Sequence, residues 1–401
     1  MFIKNTKTLT THPLLNLCIG LFLLVRVRGN PTTPPGSNAL AVAVRKCVCD
    51  CALTELSPFP NDVYMFHRLL IPLGFFALLS LTAVAADGVK ITEQPDKLRI
   101  EINGEHFTDY CFKGAPHVYF YPLLGPGGAP MTRNWPMKEV AGEEKDHPHH
   151  RSLWYSHGAV NGVDFWSESA KAGKIVHDKF LEVKGGANSG VIRSANNWIA
   201  PDGSVTMTDE RTFRVFTRPN NERLFDFEVT LKAGEKDIVL GDTKEGSMAV
   251  RVNESMRGIL AKDPGEKKAK VGKGRIAMSS GVTSSGNGDE KAWGKRSEWC
   301  DYSGPVDGKT VGIAIFDHPK NPKAPTWWHV REYGLFAANP FGVHDFEKQP
   351  KGAGDITIPA GKSITFKYRF YIHEGDETAG KVAERYTDYT VLSEALPLKI
   401  P

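Results

Sequence analysis

Two neighbouring stretches alternate polar and apolar side chains: Arg211-Thr212-Phe213-Arg214-Val215-Phe216 and Phe225-Asp226-Phe227-Glu228-Val229-Thr230-Leu231. A period of two puts every second side chain on the same face, so each stretch reads as a half-buried strand. Asn220-Asn221 between them reads as a hairpin turn. Strand-like runs recur at Val89–Ile91, Leu98–Ile102, Val118–Tyr121, Phe180–Val183 and Gly190–Ser194. Others follow at Met248–Val252, Val311–Phe316 and Ile364–Tyr371. Helical pattern is nearly confined to Glu377–Leu392, with Asp376 as its N-cap. No βαβ rhythm, phosphate-binding glycine loop or short internal repeat is present. The fold expected is all-β: a large antiparallel β-sandwich of two packed sheets, with long loops and a short C-terminal helix. The longest irregular segments are 122–161 and 263–298, the second carrying a charged surface stretch at Glu266–Lys273.

The N-terminus differs from this body. His67 and Arg68 precede an apolar run, Leu69–Ala83, and Ala83-Val84-Ala85 offers small residues for cleavage. That is the pattern of a signal peptide at residues 65–85, with maturation before Ala86. An uncleaved membrane anchor is the other reading. A signal seldom begins at residue 65, so residues 1–64 are expected to be a non-native extension and 86–401 a single β-sandwich domain. Cys47, Cys49 and Cys51 lack paired metal-ligand spacing. The expected location is periplasmic or extracellular, with no membrane partner once the signal is removed. Of 50 basic and 46 acidic residues, seven and three fall within 1–85, which leaves 43 of each beyond it. A neutral body gives no support to nucleic-acid binding. Cys111 and Cys300 are the only cysteines of the body, and export would permit a disulfide between them.

Chemistry concentrates in three segments. The first runs DHPHHRSLWYSHGAVNGVDFW from Asp146 and holds four histidines within eleven positions. A neutral imidazole can ligate a metal or transfer a proton near neutral pH. The second contains Glu298-Trp299-Cys300-Asp301, and the third Trp328-His329-Val330-Arg331. Aromatic rings beside carboxylates and arginines suit a saccharide or another polar small molecule: rings cover its apolar face and charged groups bond its hydroxyls.

The stretches DHPHHRSLWYSHGAVNGVDFW, DYSGPVDGKTVGIAIFDHP and WHVREYGLFAANPFG make the chain resemble the exported bacterial proteins called PmoA-like, over about residues 89–390. Ser152 departs from the Gly expected there, and Cys300 from an aliphatic or small residue. The name refers to a methane monooxygenase membrane subunit, but the body has no long apolar helix to support that activity. The resemblance implies a galactose-mutarotase-like supersandwich, a fold also used by epimerases, lyases and glycosidase-associated domains. Fold alone transfers no reaction.

Position and chemistry assign His149, His150 or His157 as general acid and Glu298 or Asp301 as base. Arg151 and Arg331 would hold ligand oxygens, Trp154, Trp166 and Trp299 would form a platform, and His147 and His329 would add binding contacts. The three segments are expected to meet in one open cleft on a concave sheet face. The leading expectation is an exported carbohydrate-active protein, acting as epimerase, lyase or hydrolase. A non-catalytic glycan-binding module is the first alternative, and a metal-dependent oxygenase or hydrolase the second. No cofactor is expected, a divalent metal at the histidine cluster being the minority reading.

Overall fold

The structure, a computed structural model, describes residues 88–395 apart from 220–221, 261–268 and 289. The chain divides into Met1–Leu78 and Leu79–Pro401, and every described residue belongs to the second unit. The expected extension, signal segment and Asn220-Asn221 turn lie outside the described residues.

Seventeen strands form two large sheets. The first begins with β1 (Val89–Glu93), β2 (Lys97–Ile102), β3 (Glu105–Cys111), β4 (Tyr119–Leu123) and β5 (Leu153–His157). It continues through β11 (Gly246–Arg251), β19 (Leu335–Asn339) and β18 (Trp327–Val330), in that spatial order. The second begins at β15 (Thr283–Ser284), β14 (Arg275–Met278), β16 (Trp299–Val306) and β17 (Lys309–Asp317). It continues through β21 (Ser363–Glu374), β9 (Arg223–Lys232), β8 (Val205–Phe216), β7 (Ser189–Ile199) and β6 (Lys174–Lys184). Two small ribbons pair β10 (Ile238–Leu240) with β20 (Ile356–Ile358) and β12 (Ile259–Leu260) with β13 (Lys270–Val271). Neighbours in both large sheets are antiparallel. The sandwich expected from the strand patterning is the fold observed.

The period-two stretches behave as read. On β8 and β9, Phe213, Val215, Phe225, Phe227, Val229 and Leu231 are buried between the sheets. Phe120 of the first sheet stacks on Phe213 of the second with centroids 4.3 Å apart, and Phe107 meets Phe225 at 5.7 Å. Each such ring removed from water contributes about 1.5–3 kcal/mol. A polar network shares this interior: Asp209 accepts bonds from Asn196 Nδ2 (2.6 Å), Trp198 Nε1 (2.8 Å) and Arg211 Nη2 (2.8 Å).

The outer faces of the two sheets are treated differently. On the second sheet, α2 (Val382–Ala395), which follows the short α1 (Val343–Glu347), buries Val382 and Tyr389 against Trp299, Phe316 and Tyr371. The expected C-terminal helix thus starts later than Glu377. Asp376 instead accepts from Thr378 N and Ala379 N in the turn before it. On the first sheet, Trp154, Ala249, Leu335 and Ala337 form the floor of a small separate apolar cluster that includes Trp166. No helix among the described residues is long and apolar enough to cross a membrane. Cys111 and Cys300 are both free thiols, so the permitted disulfide is not made. Cys300 faces the core between the sheets, whereas Cys111 sits half-buried near the carbonyls of Asp109 and Tyr121.

Candidate functional site

The segment before β5 crosses the outer face of the first sheet, and two buried arginines hold it there. Arg133 and Arg251 side chains have no exposure, and both bond the carboxylate of Asp146. Asp146 also accepts from His147 Nδ1 at 2.6 Å. Burial pushes the Asp146 carboxyl up, but the His147 bond and the Arg251 and Arg133 charges outweigh it and hold it well below the usual range. His147 takes φ +40° and Ser152 φ +57° to make the crossing. The left-handed conformation at 152 gives a physical reason to expect Gly there.

The crossing builds a column of rings. Tyr333 stacks on His147 (5.5 Å, 10°), His147 on His150 (4.7 Å, 9°) and His150 on Trp154 (5.3 Å, 23°). Trp166 closes the side, 5.2 Å from Trp154 and 5.9 Å from His150. Beside this column lies a cleft of about 570 Å³, whose other wall includes Lys244, Glu245, His329 and Arg331.

Hydrogen bonds fix two imidazole tautomers in this cleft. Arg251 Nη1 lies 3.2 Å from His150 Nδ1. A guanidinium only donates, so Nδ1 accepts and the ring proton sits on Nε2. His329 Nδ1 lies 2.6 Å from the Lys244 carbonyl oxygen. A carbonyl only accepts, so Nδ1 donates and Nε2 is left with its lone pair. Burial drives both rings toward the neutral form: His150 falls well below the usual value, with Arg251 adding to the effect, and His329 falls to about 3. Burial, reinforced by His147, lowers His149 to about 4. Near neutral pH the cleft therefore offers neutral imidazoles, one presenting an N–H and another a lone pair. Its carboxylates are committed to local structure. Asp164 accepts from Trp166 N (2.7 Å), Ser167 N (3.1 Å) and Ser167 Oγ, and Glu245 pairs with Lys244. Arg331 Nε is 3.0 Å from Glu290 Oε2.

His147, His149, His150, Trp166, His329 and Arg331 meet in the cleft, with Trp154 beneath it. Five expected site residues do not. His157 follows Leu153 and Tyr155 on the inward side of β5, where its Nε2 donates to the Gly241 carbonyl and its ring packs on Phe341. Arg151 turns to Glu168, with Nε and Nη2 at 2.5 and 2.8 Å, and stays outside the cleft. Trp299 and Asp301 belong to β16 of the second sheet, and Glu298 is an exposed bend residue just before it. Trp299 lies under α2, and Asp301 is fully buried and paired with His373 Nε2 at 2.8 Å. The cleft expected to gather three segments gathers two, and the proposed pairing of a cleft histidine with Asp301 or Glu298 is not made. Sequence reasoning missed Lys244, Glu245 and Tyr333. A charged pair before a strand gave Lys244 and Glu245 no distinguishing signal, but Tyr333 stood within a singled-out segment.

No group of three His, Cys, Asp or Glu among the described residues is placed to hold a metal ion. Parallel stacking of His147 and His150 leaves their ring nitrogens pointing outward within two separate planes.

A family model described as a family of unknown function (DUF6807) matches residues 97–387, and the chain belongs to that family. That description gives no support to the PmoA-like label. A search of curated proteins found no match. Among solved structures, an α-galactosidase from Lactobacillus brevis is 8% identical with a TM-score of 0.34; the match covers 72% of this chain but 39% of that one. A galactose mutarotase related enzyme from Lactobacillus acidophilus is 11% identical, with a TM-score of 0.27 and coverage of 71% and 97%. A GalM/aldose epimerase homologue from C. elegans is 6% identical, with a TM-score of 0.30 and coverage of 72% and 99%. Likenesses this slight carry no activity across, and the sandwich rests on its own strand pairing.

Proposed function

We propose that the protein is a carbohydrate-active enzyme that exchanges protons with a sugar through neutral imidazoles in the cleft on the first sheet. The observation that carries this reading is the pair of opposite tautomers, a His150 Nε2–H donor and a His329 Nε2 acceptor, lining one cleft. Epimerisation at an anomeric carbon needs such a pair. His329 Nε2 takes the anomeric hydroxyl proton, and the C1–O bond to the ring oxygen breaks as C1 becomes a carbonyl. His150 Nε2–H gives its proton to that ring oxygen. Reclosure on the other face of the carbonyl reverses both transfers. Tyr333, half-buried at the cleft, offers ring surface to the apolar face of a pyranose, and Arg331 a cation to its oxygens. Export, supported by the Leu69–Ala83 run, would place this chemistry in the periplasm or outside the cell.

A non-catalytic glycan-binding module is the second reading. It is favoured by the low basicity of His149 and His329, since a base far below the working pH accepts protons poorly. Saturation-transfer NMR with a monosaccharide panel, together with anomer exchange rates, separates the two. The enzyme reading expects faster exchange with a bound sugar, lost in both His150→Gln and His329→Gln. Binding without faster exchange supports the module. No bound sugar overturns both readings.

A further inference from the structure

A second cleft, of about 630 Å³, lies beside the first where the edges of the two sheets approach each other. The β14–β15 hairpin supplies Val282 and Thr283, and the segment returning to β16 supplies Glu290, Trp293 and Lys295. That segment is tied to the edge of the first sheet, because Gly294 N donates to the Trp328 carbonyl and Trp328 N to the Lys295 carbonyl. The two clefts share one seam. Arg331, a wall of the first cleft, reaches Glu290 of the second through Nε, and its guanidinium lies 5.4 Å from the Tyr333 ring and 5.9 Å from the Trp293 ring. His329 meets Trp293 edge-on at 6.3 Å. Aromatic and cationic groups thus continue from Trp154 through His150, His147 and Tyr333 to Arg331 and Trp293 without a gap.

Each cleft by itself has the volume of a small-molecule pocket, roughly 300–1,000 Å³, and together they pass the upper end of that range. One monosaccharide does not fill the combined volume of the two clefts. Trp293 resembles the cleft aromatics in presenting a ring beside cations: Lys348 Nζ is 5.8 Å from its centroid, on top of the Arg331 contact. Its indole Nε1 is buried with no hydrogen-bond partner among the described residues, a donor the protein itself leaves unused.

We propose that the two clefts are successive subsites of one groove, and that the ligand is an oligosaccharide whose terminal unit sits against the histidines while a following unit packs on Trp293. This inference rests on the saccharide reading of the first cleft and adds the length of the ligand to it. Arg331 stands at the junction, where it can bond the oxygen linking two sugar units or their flanking hydroxyls.

The test is calorimetric titration of the full chain with mono-, di- and tetrasaccharide series of glucose, galactose, xylose and galacturonate units. Trp293→Ala removes the second platform, and Thr283→Trp fills the second cleft from an exposed edge-strand position. The parent should bind at least one tetrasaccharide more tightly than its monosaccharide. In both variants the tetramer-to-monomer affinity ratio should fall by about tenfold or more, as expected for loss of a buried aromatic anchor. The Thr283→Trp variant keeps the test valid if Trp293→Ala fails to fold. A parent that binds monosaccharide with no gain from length overturns the inference and leaves the first cleft's reading intact. Variants that keep the full gain do the same. A parent that binds no member of any series overturns the saccharide reading, and the subsite proposal with it.

Discussion

Replacing Asp146 by Asn removes one charge and almost no volume, yet it should loosen the whole histidine wall. The carboxylate is the shared acceptor of two guanidiniums that have no exposure of their own. Arg133 keeps other acceptors, the carbonyls of Trp135, Glu144, Asp146 and His147. Arg251 does not: apart from Asp146 it has His150 Nδ1 at 3.2 Å and the face of Tyr333 at 4.8 Å. Its charge would be left buried without a counter-ion. Breaking a buried pair from one side costs about 3–5 kcal/mol. The Asp146 side chain is 31% exposed, so water partly replaces it and the low end, about 3 kcal/mol, applies. For a body of this size that lowers the melting temperature by about 4–5 °C.

Scanning calorimetry of parent and Asp146→Asn measures this directly, and pH gives a second signature. The folded-state pKa of Asp146 is depressed. Its contribution is therefore fully present above the unfolded value of about 3.9 and is lost as pH falls toward the folded value. The gap between parent and variant should be flat from about pH 8 to pH 5 and shrink below about pH 4. A variant that melts within about 1 °C of the parent across that range would show that Arg251 needs no carboxylate, and would refute this account of how the histidine segment is held.

Asp209→Asn, in the interior between the sheets, should cost about 3–5 kcal/mol because Arg211 loses its buried partner; an unchanged denaturant midpoint would count against that. Stability should also fall as pH drops below about 6.5, because burial holds His157 near 4 and His329 near 3 and the unfolded chain then binds protons the folded one refuses. Each should remove about 2 kcal/mol by pH 5, read from urea melts, and a flat stability profile between pH 7 and pH 5 contradicts it. Cys300, with its thiol pushed well above the usual value by burial, should resist iodoacetamide at pH 8 in the native protein and react once unfolded, as followed by peptide mass mapping. Rapid native labelling would place it outside the core.

The two strands most legible in the sequence, β8 and β9, have one face in the core and one nearer water. Arg211–Phe216 and Phe225–Leu231 alternate because inward rings and outward charges meet different surroundings. β5, β18 and β19 were not legible, since every residue of each is buried and no alternation survives. Leu153–His157 was therefore read as part of a long loop, and His157 was grouped with neighbours that the pleat sends to the other side. Asp301 was misplaced for a related reason. Trp299–Val306 is buried except at Pro305, so its sequence gives no hint of which face each side chain takes. The histidine cleft itself depended on register: Ala249 opposite Trp154 and Ala337 opposite Ala249 bring three distant segments to one floor, and no local pattern encodes those pairings.

What separates a cleft from a buried ion pair here is the covering of each outer face, more than the residues beneath it. Histidine, carboxylate and tryptophan occur on both faces. On the second sheet, α2 lies across Trp299, and the turn before it closes over His373, where Gly380 has no room for a Cβ. Asp301 and His373 are then paired with each other and line neither cleft. On the first sheet the cover is the thin segment around Asp146, Pro148 and His150. It is anchored at one end by two arginines and spans the floor without filling it. A helix buries apolar side chains along its whole contact and excludes water from what it covers, whereas an extended segment pinned at one carboxylate leaves space alongside. The same residue types therefore serve stability on one side of the sandwich and face an open cleft on the other.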